Sequence, residues 1–258
     1  MNILVLVKAV PLVGEERLSG NRLTVRSDLE PNGADEYCLE RALQLTETHG
    51  GEVSVLTMGP AAAAEALRKA LAIGAARAYH VKDAQLAGSD IRSTVAVLHA
   101  AVRRVDFDLL LAGADSSDGQ AGVIGAALAA RMGLPYLSNA ADIQAPQPGI
   151  VRIKRLSPVG YDVLEARTPA VVMGMQLLGE PRYPSLRGVM AARKKEAVAW
   201  SLADLDIDPA TVGSGSSSTM IDRVEPAASR EHGTTIDAPA DEAARDVAAF
   251  LTERGLIR

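Results

Sequence analysis

Aromatic residues are scarce in this chain of 258 residues, at 3%, against a hydrophobic content of 48%. The core must therefore be built from Ala, Val, Leu and Ile, which suits parallel strands covered by closely packed helices. Cys38 is the only cysteine, so an intrachain disulfide is excluded and a reducing compartment is the simplest setting. Its place in ADEYCLERALQL reads as a buried helical thiol. Positive charge is not in excess: the formal net charge is −5, which gives no support to a nucleic-acid-binding face. No apolar run approaches the length of a membrane span. The start has no basic leader followed by a signal-like apolar region. A protein of the cytoplasm, not embedded in a membrane, is expected. His49, His80, His99 and His232 are scattered, and none pairs with a Ser or Cys nucleophile. No His, Cys, Asp and Glu cluster has metal-ligand spacing. No catalytic residue and no metal site are expected, and His80, in a predicted strand, reads as a packed core residue.

The informative stretch is Asp108 to Pro135, DLLLAGADSSDGQAGVIGAALAARMGLP. Leu109 to Ala112 is a short apolar run, as expected of a strand buried on both faces. Gly113 breaks it, and Asp115, Ser116, Ser117, Asp118 and Gly119 form a polar turn. Helical pattern follows from Gln120 until Gly133-Leu134-Pro135 ends it. A strand, a glycine-containing loop and a helix start in that order can meet a phosphate with free backbone N–H groups. The loop has no Walker lysine and no GxGxxG spacing. Its two carboxylates argue against a long polyphosphate. Taken alone, it reads first as the ordinary βα turn in which Ser and Asp cap the helix.

Around it the chain alternates. Strands are predicted at Asn2–Val7, Glu52–Thr57 and Ala78–Val81, and helices at Ala34–His49, Ala61–Ile73 and Asp90–Arg104. Asn32 or Asp35 is placed to serve the first helix N-terminus, and Leu23, Val25 and Arg26 suit a small hairpin arm. This alternation predicts an α/β fold, a doubly wound, mostly parallel sheet with helices on both faces. Ligands of such sheets bind beyond the carboxyl ends of the strands, where strand order reverses. The loops after Val7, Thr57 and Ala112 all leave such ends, and together they make a nucleotide site the stronger reading. Without catalytic groups, that site suggests binding, regulation or electron carriage.

After Pro135, segments near 137–144, 150–156, 161–167 and 170–176 read as strands without intervening helices, so antiparallel additions are expected. Residues 177–196, LLGEPRYPSLRGVMAARKKE, are locally basic through Arg182, Arg187, Arg193, Lys194 and Lys195, and Leu186 is a lone large apolar residue. Such a cluster is either a solvated face or a docking segment with an apolar anchor and steering charge. A domain of residues 1–208 is expected, carrying this loop at about 174–196. Residues 209–258 then form a linker, clearest at Gly213–Thr219, and a helix at Asp241–Arg254 with Val247, Phe250 and Leu251 on one face.

Over residues 1–208 the ordered blocks ILVLVKAVP, PNGADEYCLERAL, VSVLTMGP, ALAIGA, the Asp108–Pro135 stretch and EPRYPSLRGVMAARKK resemble the beta (small) subunit of electron-transfer flavoproteins, in a form similar to actinobacterial members. The resemblance implies a heterodimer with an alpha subunit that holds most of the FAD. It further implies a structural AMP in this subunit, and single-electron transfer from acyl-CoA dehydrogenase-type flavin dehydrogenases of fatty acid oxidation to a membrane quinone oxidoreductase. Carried over by position, the AMP shell would be Leu6, Asn32, Gly33, Ala34, Asp35, Met58, Gly113, Ala114, Asp115, Ser116, Ser117, Asp118, Gly119, Gln120, Ala121 and Gly122. Leu186 matches the recognition-loop leucine, flanked by Arg182, Tyr183, Arg187 and Met190. Val13 stands where some members place an aromatic near the flavin. The alternatives are an electron-bifurcating subunit with a second FAD in place of AMP, and a free-standing nucleotide-binding regulator.

Overall fold

Buried apolar runs form the spine of the molecule. The computed structural model describes residues 1–12, 19, 25–26, 28–221, 233 and 235–257. In chain order it begins with β1 (Asn2–Leu6), a short antiparallel pair β2 (Ala9–Pro11) and β3 (Leu29–Pro31), and helix α1 (Gly33–His49). Strand β4 (Glu52–Met58), α2 (Ala64–Ile73), β5 (Arg77–Val81), α3 (Ile91–Val102), β6 (Leu109–Gly113) and α4 (Ile124–Met132) continue the alternation. Then come β7 (Tyr136–Gln147), β8 (Ile150–Ser157), β9 (Gly160–Arg167), β10 (Ala170–Gly174), the short helix α5 (Leu186–Ala192) and β11 (Val198–Trp200).

Nine strands make one sheet in the order β11-β5-β4-β1-β6-β10-β7-β8-β9. From β11 to β7 every neighbour is parallel, and only the pairs β7–β8 and β8–β9 are antiparallel, so β8 alone runs against the rest. The sheet is doubly wound. Ile3, Val5, Leu109 and Leu111 face the layer of α1 and α2, whereas Leu4, Leu6 and Leu110 face α3 and α4. Full burial of such side chains stabilises by roughly 1.5–3 kcal/mol each, and alternation of faces along β1 and β6 follows from the period of two.

Several local expectations are corrected. The helix expected from Gln120 starts at Ile124, because Gln120 (φ 45°) and Gly122 (φ 59°) adopt left-handed backbone that a helix cannot continue. Its end is as read, with Gly133 in the left-handed cap position at φ 66°. The segment at 170–176 is not an antiparallel addition: β10 slides between β6 and β7, parallel to both. Leu23 lies outside the described residues, Val25 and Arg26 join no strand, and the hairpin that does form is β2 with β3. The Gly213–Thr219 stretch is stapled down: Gly213 N–H donates to Ser89 Oγ (2.9 Å), Ser217 Oγ to the Gly88 carbonyl (2.7 Å), and Ser218 N–H to Asp90 Oδ2 (2.7 Å). Small polar side chains here serve the start of α3 rather than slackness.

The chain divides after Met220. The second unit, Ile221–Arg258, contains α6 (Ala240–Glu253), none of whose residues is buried and whose Val247 and Phe250 stay exposed. Among the described residues no helix is long and apolar enough to cross a membrane.

Candidate functional site

Strand order reverses between β1 and β6, which are direct neighbours with β4 and β10 on their outer sides. Beyond the carboxyl ends of these two strands lies the crevice of a doubly wound sheet. The backbone N–H groups emerging there need acceptors. Asp35, in the first turn of α1, supplies both: its Oδ2 accepts from Lys8 N–H and its Oδ1 from Gly113 N–H, each at 2.8 Å. Asn32, just before the helix, uses its carbonyl to accept from Asp35 N–H (3.0 Å), but its side chain accepts nothing from the helix start. It donates from Nδ2 to the Asp115 carbonyl (2.9 Å) and accepts from Ser117 N–H (3.3 Å). The two side chains that sequence offered as caps instead tie the end of β1 and the central loop to α1.

Within the loop, Asp115 Oδ1 accepts from Ser116 N–H (2.8 Å) and Gly122 N–H (3.1 Å), closing a small ring of backbone. Asp118 turns inward, its side chain only 6% exposed, onto Lys8 Nζ at 2.6 Å and Arg26 at 2.9 Å. Burial alone would raise the Asp118 carboxyl, but Lys8 and Arg26, with Ser116, outweigh it and hold it below the ordinary range. Both carboxylates that argued against phosphate are thereby occupied inside the loop. The N–H groups of Gly119, Ala121 and Val123 take no partner among the described residues, and Ser117 Oγ is buried without one. Lys8 and Arg26 were missed in the sequence. Their signal is long-range, since Asp118 lies about a hundred residues from either.

The expected shell is brought together in part. Leu6, Asn32, Ala34, Asp35 and Gly113 through Asp118 converge at the switch point, Gly113 so closely that Ala34 lies where a Cβ would stand. Gly33 and Gly119 to Gly122 form its open rim. The Leu6 side chain points away, into the core beneath α3 and α4, and Met58 packs against that same cluster. Val13 lies outside the described residues. His80 is a core residue as read, its Nε2 3.0 Å from the Gly59 carbonyl and its pKa lowered by burial. Cys38 is fully buried, and burial pushes its thiol up.

Burial raises Asp35 from an ordinary 3.8 to about 6, against the pull of its two backbone donors. A raised folded-state pKa means that the group's contribution to stability is full below about 3.8 and is lost as pH rises through about 6. We predict that the stability of the native chain relative to Asp35→Asn falls by roughly 2 kcal/mol between pH 4 and 7. Urea titrations at each pH would read this, and a flat difference would refute it.

The docking segment lies on the face covered by α1 and α2, against the carboxyl halves of those helices. Leu186 is 82% exposed and Tyr183 90%, and Met190 and Arg187 are exposed beside them. Arg182 is not free: its guanidinium meets Glu40 and Glu47 on α1.

A doubly wound α/β protein whose central loop gathers backbone N–H groups unpartnered among the described residues at its switch point is what fold and site define. The electron transfer flavoprotein domain matches residues 23–205. The chain is 31% identical to the electron transfer flavoprotein subunit beta of Clostridium acetobutylicum over the full length of both chains. It is 38% identical to that of Mycobacterium leprae, covering 82% of this chain and 83% of the relative. The caffeyl-CoA reductase-Etf complex subunit CarD of Acetobacterium woodii is 34% identical, over 86% and 87%. The chain belongs to the electron transfer flavoprotein family, in its beta-subunit branch.

Proposed function

We propose that this chain is the small subunit of a heterodimeric electron carrier, holding AMP as a structural ligand beside an alpha subunit that carries the FAD. The FAD would supply the one-electron chemistry, and the assembled pair would carry electrons from flavin dehydrogenases of the acyl-CoA type to a membrane quinone oxidoreductase. The observation that carries the reading is the central loop, where Asp118 is buried on Lys8 and Arg26 and Asp115 is taken up by loop N–H groups, while the N–H groups of Gly119, Ala121 and Val123 and the buried Ser117 hydroxyl are left without partners among the described residues. Such a loop favours a compact monophosphate over a polyphosphate, since Lys8 and Arg26 are already shared with Asp118. Asn32 and Asp35 would hold the rim in place, and Gly119, Ala121 and Val123 would offer N–H groups to the phosphate. The subunit's own residues thus bind and orient; none acts as acid or base.

A partner surface is in keeping with the rest of the chain. Edge strand β9 exposes Tyr161 and Val163 next to Leu156 and Val159, an apolar strip that a monomer would leave wet. The apolar face of α6 is a second such surface, and in this reading both meet the alpha subunit. Co-expression with that subunit in the cytoplasm, denaturation and mass analysis of released ligands test the proposal. One AMP and one FAD per heterodimer are expected, and removal of residues 221–258 should weaken the association. Two FAD without AMP would replace the reading by a bifurcating subunit. A stable nucleotide-loaded monomer that ignores the flavoprotein partner would replace it by a regulator.

A further inference from the structure

The docking segment is fastened at three points, and one of them is unusually strong. Arg182 donates from Nε and Nη2 to the two oxygens of Glu40 (2.7 and 2.9 Å), and from Nη1 and Nη2 to Glu47 (2.5 and 3.0 Å). Its own backbone N–H also reaches Glu40 Oε2 at 3.2 Å. Glu40 and Glu47 stand seven residues, two helical turns, apart on one face of α1, and Gln44 between them donates to Glu40 Oε1 (2.9 Å). The Glu40 side chain is only 5% exposed. Burial would raise its carboxyl, yet Arg182 and Gln44 hold it below the ordinary range, and the two glutamates push Arg182 up. A guanidinium fork that fills two carboxylates at once fixes orientation as well as distance, which an ammonium cannot do.

Beyond Arg182 the backbone has no slack. Ser185 Oγ accepts from Gly188 N–H (3.0 Å) to start α5. Gly188 rests so close to α2 that a Cβ would lie 2.2 Å from the Ala72 carbonyl oxygen. Lys195 Nζ then donates to the Ala75 carbonyl at 2.8 Å. Between the Arg182 clamp and the Gly188 seat, the exposed Tyr183 and Leu186 are displayed on a short span held at both ends.

We infer that Arg182 is a positioning residue for electron-donor docking: clamped to α1 by Glu40 and Glu47, it holds Leu186 and Tyr183 in their binding arrangement before the donor arrives. This rests on the reading of Leu186 as a docking anchor. It assigns Arg182 a role distinct from the steering charge read in the sequence, which is left to Arg187, Arg193 and Lys194. Ordering an apolar tip in advance removes an entropy loss from association, so its absence weakens binding without touching chemistry.

The test uses the assembled, FAD-loaded heterodimer and an acyl-CoA dehydrogenase reduced by its substrate. Arg182→Lys, which keeps charge but loses the fork, and the milder Glu47→Gln are compared with Leu186→Ala. Arg182→Lys is expected to raise KM for the carrier about tenfold with kcat, FAD and AMP contents unchanged. Amide hydrogen exchange should quicken in residues 183–190 and nowhere else. Glu47→Gln should move both readouts in the same direction by less. An unchanged KM with Leu186→Ala effective, unchanged local exchange, or exchange quickened throughout the subunit would each overturn the inference. If Leu186→Ala itself leaves KM unaltered, the docking reading fails, and the clamp as a docking device falls with it.

Discussion

Gly113→Ala should empty the cradle. A single Cβ on Gly113 would lie 2.6 Å from Ala34 Cβ, 2.7 Å from Asp35 Oδ1 and 2.8 Å from the Ala34 backbone carbon. Two of these neighbours are helix atoms and the third is the carboxylate oxygen that Gly113 N–H itself uses, so nothing flexible can give way. The end of β6 and the start of α1 must part, and the bridge through Asp35 between β1 and β6 opens with them. Overpacking costs about 1–3 kcal/mol and an orphaned buried hydrogen bond about the same, so a destabilisation of roughly 2–5 kcal/mol is expected. Because Asn32 and Asp35 also fix the central loop, retained AMP should fall more than about a hundredfold, the factor that roughly 3 kcal/mol of lost loop organisation implies. Two glycines make the controls. At Gly33 a Cβ meets nothing within 4 Å. At Gly119 it meets only the ends of Ser116 and Lys8, at 3.1 and 3.4 Å. Gly33→Ala and Gly119→Ala should therefore stay within about 1 kcal/mol of the parent. Urea midpoints and AMP released per subunit decide it, and a Gly113→Ala protein as stable and as loaded as Gly33→Ala would sink the account of the cradle.

The contrast among these glycines shows where sequence is legible and where it stops. Gly133 is readable because a helix end is a local event: a left-handed cap, then Pro135, with no reference to the rest of the chain. Leu109–Ala112 is readable for a similar reason, since an unbroken apolar run in a chain of alternating elements has few places to go except the middle of a parallel sheet. Gly113 owes its necessity to Ala34, which only the folded sheet brings near. Asn32 and Asp35 have the chemistry of caps, and the local rule assigns them to their own helix. The strand ends of β1 and β6 outcompete the helix for those oxygens because their N–H groups are buried and have no other acceptor. The Lys8, Arg26 and Asp118 cluster has no local signature at all.

Strand β10 was misassigned for a different reason. Residues 161–167 and 170–176 both read as strands, but Ala170–Gly174 is buried throughout while β9 is mostly exposed. A continuous apolar run beside an alternating one is the mark of a central parallel strand beside an edge strand, so the distinction was present in the residues. The order of strands was not. The stretch 209–220 erred the other way: its serines and glycines have the composition of a linker, and their hydrogen bonds to Ser89, Gly88 and Asp90 depend on neighbours that composition does not see.

Leu186→Ala is the second change with a large expected effect, and its force comes from what it leaves alone. The side chain is 82% exposed, at the start of a helix capped by Ser185 and seated by Gly188, so truncation removes almost no buried surface. Stability should shift by less than about 0.5 kcal/mol, and AMP and FAD contents should not change. Exposed on the carrier, the same leucine becomes buried if it enters a donor's pocket, and a central apolar anchor of this kind is worth at least about 2 kcal/mol, or some thirtyfold in affinity. Electron transfer measured at carrier concentrations well below KM should slow by about that factor. At saturation it should recover most of the parent rate, because the loss lies in encounter rather than in the redox step. Arg187, exposed on the next residue, acts through long-range attraction, so Arg187→Gln should instead reduce the rate mainly at low ionic strength. Leu186→Ala should cost the same at low and high salt. A rate that survives Leu186→Ala at low carrier concentration would remove the apolar anchor from the account, and the docking of this subunit would have to be sought on another face.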